Sequence, residues 1–499
     1  MPPPTMTTRL DTLPLCPNPD AESNLGSPLS ATTPAESPVI ERASRVVWTL
    51  AWPAVALNSL QVVNSMLDAG FVGHLDKASL TAYGGMTPVL FLMFSFAMSL
   101  ATAATALVSR FYGAEDAAQC RLASRQSLSL SLFGGVALAA VCWVLAPWFA
   151  QGLLPQTATE AIGKMAEFIR IYALGLPAIF VIQALAGSLR GVGDTKSPMV
   201  ISGLQIFTHI ALNFILIFPP KDFLGMALPG ANMGLMGAAT ALSASAWMSA
   251  VIYVLYAGRT RIGKQWNIGL PKADWMWRII RIAAPAAVMS VLRVGSLTVF
   301  QLVLAKVPDG ESAIAAMRTG FAIESMMFMP SFGLSMAASA LVGQSLGMKR
   351  PDRAEALGWV AAHHAALVTF VLCIPIYFSA EWIAGLMLGD KADVIAQAAL
   401  LIRYLCVTEI FFAYAMVMIG AMQGAGDTKR PLWLSVVSLW MLRVPCAYYF
   451  ALPAAGTFFG LGLGYGAPGA WMAMTGSQAV QGILSIWLFK RGGWKLAKV

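Results

Sequence analysis

The chain has 499 residues, 58% of them hydrophobic and 11% charged, with a mean hydropathy of +0.68. Soluble domains carry roughly 25% charged residues, so a string of two to four soluble domains, each with its own polar surface, is excluded. So is an outer-membrane barrel, whose strands alternate apolar and polar residues over about ten positions, because the apolar runs here are far longer. An all-α polytopic membrane protein remains. The net charge of +9 implies no nucleic-acid partner, since in a bilayer the placement of Lys and Arg matters more than their sum. Six scattered cysteines without CxxC spacing imply no disulfide framework.

In chain order, residues 1–44 read as a disordered cytoplasmic tail rich in Pro, Ser and Thr, without a signal-peptide pattern. Apolar stretches long enough to cross ~30 Å of hydrocarbon then recur at about 46–72, 86–109, 127–150, 165–189, 198–218, 234–257, 279–305, 318–345, 357–379, 398–422, 432–452 and 468–489. Twelve transmembrane helices follow. They divide into an N-lobe (45–260, spans 1–6), a cytoplasmic linker (261–278), a C-lobe (279–490, spans 7–12) and a cytoplasmic C-terminal tail (491–499).

The charges test that count. The N-terminal side and alternate loops hold Arg42, Arg45, Arg110, Arg121, Arg125, Arg190, Lys196, Arg259, Arg261, Lys264, Lys272, Arg278, Arg281, Lys349, Arg350, Arg353, Lys429, Arg430, Lys490, Arg491, Lys495 and Lys498. The opposite loops hold Lys77, Lys164, Lys221, Lys306 and Lys391. This asymmetry of 22 against 5 is the positive-inside signal, and it places both termini in the cytoplasm.

The segment Leu189-Arg190-Gly191-Val192-Gly193-Asp194-Thr195-Lys196-Ser197-Pro198 returns as Met422-Gln423-Gly424-Ala425-Gly426-Asp427-Thr428-Lys429-Arg430-Pro431, at an offset of 233. Near that offset Pro53 corresponds to Pro285, and Leu107–Gly113 to Leu341–Gly347. An even number of spans separates the copies. The halves are therefore parallel repeats, expected to form two pseudo-symmetric six-helix lobes. The repeated GxGDTKxP lacks the full phosphate-loop pattern. Gly193 and Gly426 permit a tight reversal, Asp194 and Asp427 can cap the next helix, and Pro198 and Pro431 suit its first turn, so both copies, with Lys196 and Lys429, are expected to be structural turns.

These twinned loops, the Asp68-Ala-Gly-Phe-Val-Gly73 end of span 1 and Leu341-Val342-Gly343-Gln344-Ser345-Leu346-Gly347 resemble the multidrug and toxic compound extrusion (MATE) family over about residues 45–490. Ala322-Ile323-Glu324-Ser325 with Pro330-Ser331-Phe332-Gly333 is most similar to its DinF-like prokaryotic branch. The resemblance implies a V-shaped pair of six-helix lobes in the bacterial inner membrane. It implies export of organic, often cationic or amphiphilic, compounds in exchange for H⁺ or Na⁺, with no other cofactor.

Ionisable residues inside spans are functional candidates by default. Gln61, Asn64 and Asp68 lie at helical spacing on one face, where a carboxylate beside amide oxygens can bind Na⁺ or take up a proton. The resemblance makes Asp68 the span-1 acid of the N-lobe coupling site. His209 and Asn213, four apart in span 5, match positions where relatives place polar cation-site residues; Asn213 in place of an acid favours H⁺, with His209 as a relay. Thr240 and Ser243 in span 6 add hydroxyls. In the C-lobe, Arg293 falls where certain relatives carry a span-7 glutamate. Arg293, Glu324, Glu409 and Arg443 are expected to form an internally neutralised network, with Arg293 pairing to Glu324 or Glu409.

Met326, Met327, Phe328 and Met329 in span 8 are the first candidates to line a substrate cavity, since Met repacks around varied ligands. The expected partners are a small-molecule substrate and the bilayer, for a protein acting as a monomer. A flippase for a lipid-linked or amphipathic metabolite, which would favour a basic central cavity, is the alternative within transport. An enzyme is not expected: HExxH is absent, and His363-His364 lack a carboxylate at metal-ligand spacing.

Overall fold

The computed structural model describes residues 36–223, 226–228, 230–263, 269–389, 391–454 and 460–497. The helices are α1 (Glu36–Gly73), α2 (Lys77–Gly113), α3 (Ala117–Leu153), α4 (Thr159–Gly191), α5 (Lys196–Ile217) and α6 (Leu235–Arg259) in the first half. The second half holds α7 (Ala273–Leu304), α8 (Gly310–Gly347), α9 (Pro351–Phe378), the short α10 (Ala380–Leu388), α11 (Ala392–Gly424), α12 (Lys429–Ala451) and α13 (Gly466–Lys490). Among the described residues, twelve of these are long and α10 is not. At 1.5 Å per residue even α5, with 22 residues, spans about 33 Å. Eleven are apolar enough to cross a membrane by composition alone. The twelfth, α13, is as long as α6, but it buries Thr475, Ser477, Gln478, Gln481 and Ser485 against its neighbours. That inward polar face dilutes its hydropathy.

Most helices extend beyond the expected spans, α2 beginning at Lys77 and α3 at Ala117, and two boundaries of the expected division also differ. Helix α1 begins at Glu36 rather than after residue 44. Residues 1–35 and 264–268, with Lys264 and Lys498, lie outside the described residues. Helix α7 begins at Ala273, inside the expected linker, because Trp275 is buried and anchors its first turn, with the Arg278 guanidinium 5.3 Å from the Trp275 ring centre. A two-stranded antiparallel hairpin, β1 (Lys221–Phe223) and β2 (Met226–Leu228), joins α5 to α6.

Packing follows the repeat, with an exchange. In the first half Met165, Phe168, Ile169 and Leu176 of α4 form a core with Leu107, Leu128 and Tyr253. In the second half Phe300, Met327, Leu401, Leu405 and Trp471 do the same. The opening turns of α1 and α7 belong to the opposite half. Val47, Leu50 and Ala51 of α1 pack with Leu334, Ala361, Val417 and Met422, whereas Trp275, Ile279, Ile282 and Ala283 of α7 join the first-half core. Pro53 and Pro285 follow these crossings, and each removes one helical hydrogen bond there. Ala43–Val499 is accordingly one compact unit.

The repeated loops adopt one geometry. Gly193 and Gly426 both have φ of +88°, a value glycine adopts without steric cost. The amides of Asp194 and Asp427 bond to Leu189 and Met422 carbonyls at 2.9 Å in both copies. Asp194 Oδ1 accepts the Ser197 amide at 3.0 Å and Asp427 Oδ1 that of Arg430 at 3.3 Å. Lys196 and Lys429 are exposed. Both copies are structural turns. At the other end of the molecule Asp76 caps α2 through the Ser79 amide and accepts from Lys164 Nζ at 2.7 Å. The Lys164 bond, then those from Ser79, hold this half-exposed carboxyl well below the usual carboxylate range.

Candidate coupling site and inter-lobe cavity

Helices α1 and α5 bring four of the expected residues together. Asn213 Nδ2 donates to Asp68 Oδ1 at 2.8 Å, and Asn64 Nδ2 donates to Asp68 Oδ2 at 3.2 Å. His209 Nδ1 lies 3.2 Å from Asn64 Oδ1, and its Nε2 lies 3.3 Å from Asn213 Nδ2. The side chains close a ring, Asp68–Asn64–His209–Asn213. It assigns His209 as the neutral tautomer with its proton on Nδ1, donating to Asn64. His209 Nδ1 stands 3.8 Å from Asp68 Oδ1, near enough to pair if the imidazole gains a second proton. His209 and Asn213 are buried, and the Asp68 side chain retains 16% exposure, a route for a proton or ion. Asn213 Oδ1 is buried without a hydrogen-bond donor.

Three expected members stay outside the ring. Gln61 is exposed, and among the described residues no hydrogen bond joins its side chain to the ring. Thr240 donates to the Met236 carbonyl of its own helix at 2.8 Å, and Ser243 to the Ile171 carbonyl at 2.9 Å. Among the described residues no group of three His, Cys, Asp or Glu gathers as a metal site.

The C-lobe charges do not pair as expected. Glu324, buried in α8, accepts from Gln478 Nε2 at 2.7 Å, with Arg443 and Arg293 close enough to act on it electrostatically but, among the described residues, forming no ion pair. Arg443 instead donates from Nε to Ser477 Oγ at 2.9 Å, from the end of a π-helical segment, Val436–Arg443, inside α12. Glu409 is fully buried with neither carboxylate oxygen hydrogen-bonded. Gln478 and Ser477 were not singled out from the sequence; the only signal was an amide within an apolar span.

The two halves meet tightly at the end expected to face the cytoplasm. A Cβ on Gly113 would overlap the Gln344 carbonyl, and one on Gly347 the Arg110 carbonyl. Gln344 Nε2 donates to the Gly191 carbonyl at 2.9 Å, and Arg110 Nη2 to the Ala497 carbonyl at 2.9 Å. Deeper between the halves is a cavity of about 70 Å³, lined by Met98, Thr102 and Thr105 of α2, Arg190 of α4, Phe332, Ser335, Met336 and Ser339 of α8, and Gly420 and Gln423 of α11. The expected lining residues are elsewhere. Met327 is buried in the C-lobe core, with its sulfur 3.7 Å from Cys373 Sγ. Met326 is half exposed, Phe328 packs edge-on against Phe412, and Met329 is partly buried outside the cavity.

Comparison with known proteins places this arrangement. A probable multidrug resistance protein NorM of Thermotoga maritima is 27% identical over 451 residues, 89% of this chain and 92% of its own length. Among solved structures, the Vibrio cholerae MATE transporter VcmN superposes with a TM-score of 0.81 at 18% identity, covering 92% of this chain and 99% of its own. An outward-facing multidrug resistance MATE transporter of the MOP superfamily superposes with a TM-score of 0.80 at 20% identity, over 92% and 98%. The curated relative carries a NorM name, so the family level is established and the expected DinF-like branch is not. The MatE family profile matches residues 53–215 and 285–449, one segment in each half of the repeat. The chain belongs to the MatE family, whose members are multidrug-efflux membrane transporters and not enzymes.

Proposed function

We propose that the protein is a secondary antiporter, exporting organic cationic or amphiphilic compounds in exchange for H⁺ by alternating access of its two halves. The observation that carries this reading is the Asp68–Asn64–His209–Asn213 ring. A charged Asp68 ties α1 to α5 through charge-assisted bonds. Protonation removes that charge and turns one Asp68 oxygen into an O–H donor, so the amide facing that oxygen must turn over to present its own oxygen, while the other amide still donates, more weakly, to the remaining carbonyl oxygen. Proton uptake thereby resets the contact between α1, whose start packs in the opposite half, and α5. Differential affinity for H⁺ in two arrangements is what a coupled exchanger needs.

Na⁺ is the second reading, supported by the unpartnered Asn213 Oδ1 beside Asp68. The ring supplies a single carboxylate and otherwise neutral groups, which favours H⁺. A flippase is not favoured, since the relatives are multidrug resistance proteins. In this reading the protein works as a monomer in the bacterial inner membrane with both termini cytoplasmic, as the Lys and Arg asymmetry supports. The test is transport in proteoliposomes with a pH gradient and a Na⁺ gradient imposed separately. Organic-cation movement under the pH gradient alone is expected; movement under Na⁺ alone replaces H⁺ by Na⁺, and movement under neither removes the antiport reading.

A further inference from the structure

The inter-lobe cavity holds an uncompensated positive charge. Arg190 is 8% exposed, and among the described residues its guanidinium makes no hydrogen bond and no ion pair. A buried charge without a partner is costly. The rest of the lining divides by what its polar atoms already do. Thr102, Thr105 and Ser335 spend their hydroxyl protons on the carbonyls of Met98, Ala101 or Gly187, and Met416. Ser339 and the Gln423 side-chain amide remain uncommitted. Among the described residues no carboxylate lines the cavity. Its free groups are therefore a guanidinium, which can only donate, and an amide and a hydroxyl, each of which can turn a donor toward an anion.

The internal repeat separates this charge from the turn it adjoins. Arg190 and Gln423 occupy equivalent positions in the two copies. The turns that follow are superimposable in their φ values and hydrogen bonds, so the reversal forms equally well with a neutral residue there. The two positions also face one cavity, which places it on the pseudo-twofold axis between the halves. Symmetry would supply two like residues, and the chain carries a single arginine opposite a glutamine.

We propose that Arg190, with Gln423 and Ser339, forms an anion-binding subsite that takes the carboxylate of a zwitterionic cargo. This rests on the transport reading and narrows its substrate class. A cavity of about 70 Å³ well exceeds the ~10–15 Å³ that a single water needs on the same measure, so it has room for a carboxylate. Guanidinium and carboxylate match in two parallel N–H···O bonds. The apolar wall of Met98, Phe332 and Met336 suits the carbon skeleton behind the carboxylate. Chloride is the other small anion that a donor set of this kind would accept.

The test uses equilibrium binding of a matched pair of dyes to the purified full chain in detergent: rhodamine 110, which carries a carboxyl, and rhodamine 123, its methyl ester. Binding is measured without any gradient, so the result does not depend on coupling. The wild type is expected to bind the acid about tenfold more tightly than the ester, the value of one good charge-assisted pair near 1.4 kcal/mol. Arg190→Gln, which copies the residue of the other half, should abolish the preference, and Arg190→Lys should keep most of it. Acetate should compete with the acid and not with the ester. Equal binding of acid and ester by the wild type, or a preference unchanged in Arg190→Gln at unaltered thermal midpoint, overturns the proposal. So does full displacement of the acid by chloride at concentrations where acetate is inert, which makes the cavity a chloride site. Should Arg190→Gln fail to fold, Ser339→Ala with Gln423→Leu is expected to weaken the same preference. A preserved preference in a protein that no gradient drives would leave this inference standing and remove the antiport reading alone.

Discussion

Asn213 on α5 donates to Asp68 on α1 across 2.8 Å, and the same amide nitrogen lies 3.3 Å from His209 Nε2. One side chain thus senses both titratable groups of the ring. Asp68→Asn keeps its size and hydrogen-bonding reach and removes its charge. Gradient-driven efflux of a cationic dye from proteoliposomes should fall at least ~10-fold, while the thermal midpoint stays close to wild type, because the loss is one of coupling and not of packing. Asn213→Leu should reduce efflux as well and lower stability by about 1–3 kcal/mol, since it strands a buried carboxylate oxygen. Undiminished efflux in Asp68→Asn would remove the ring from the mechanism.

The glycine contacts at the closed end set up a conformational test. Gly113 packs so closely on Gln344 that any larger residue must push α2 away from α8. Gly113→Leu is therefore expected to open this end without disturbing either core. The readout is maleimide labelling of Ser339→Cys, placed in the cavity, in a chain whose native cysteines are replaced. A shift of about 1.4 kcal/mol between the two arrangements raises the labelling rate ~10-fold. Equal rates with and without the leucine would mean that the closed end does not gate the cavity.

How far the sequence discloses this arrangement depends on whether partners lie on one helix. Asn64 with Asp68, and His209 with Asn213, are four residues apart, so each pair follows from the helical period alone. That α1 should meet α5 came from the family resemblance. Met326 to Met329 are four consecutive helical residues and so point around a full turn, which is why they cannot line one cavity; Phe332 and Met336, four apart, do. The exchange of α1 and α7 starts between halves was not legible, because helices apolar on all sides carry no mark of their neighbours. In the sequence Arg190 belongs to a turn motif, and only its burial beside Gln423 reveals it as a cavity residue.

Glu409 offers a stability test. Its carboxyl is fully enclosed, and neither oxygen finds a donor. A side chain of similar volume without polar atoms removes that desolvation cost, so Glu409→Met should raise the thermal midpoint, by about 1–3 kcal/mol in free-energy terms. If the variant instead keeps its stability and loses transport, Glu409 serves the exchange cycle.

Asp76 gives a pH dependence outside the bilayer. Its folded-state carboxyl is held below the ordinary value of 3.8 by Lys164 and Ser79. A depressed carboxylate contributes stability that is fully present above the unfolded value and is lost as pH falls through the folded one. The wild type should therefore exceed Asp76→Asn in thermal midpoint by a constant amount above about pH 5, with the gap narrowing below about pH 4. The group is half exposed, so the gap is small. A gap that widens on acidification would contradict the assignment.

The last test concerns the bond from Gln478 to Glu324. Gln478 Nε2 reaches across from α13 to α8 and donates to Glu324 Oε1 at 2.7 Å. Arg443 and Arg293 supply field without contact, so this amide is the group that fixes the carboxylate in place. Gln478→Leu leaves a buried carboxylate oxygen without its donor, at a cost of about 2 kcal/mol. Glu324→Met alone leaves the Gln478 amide unpaired and two arginines without a nearby acid, and should cost more. The double variant Gln478→Leu/Glu324→Met removes both ends of the bond. If the bond is the coupling between them, the two losses will not add, and the double variant will be more stable than their sum by about 1–2 kcal/mol. Additive losses would mean that Gln478 supports α13 through packing, and that the arginine field alone holds Glu324 in place.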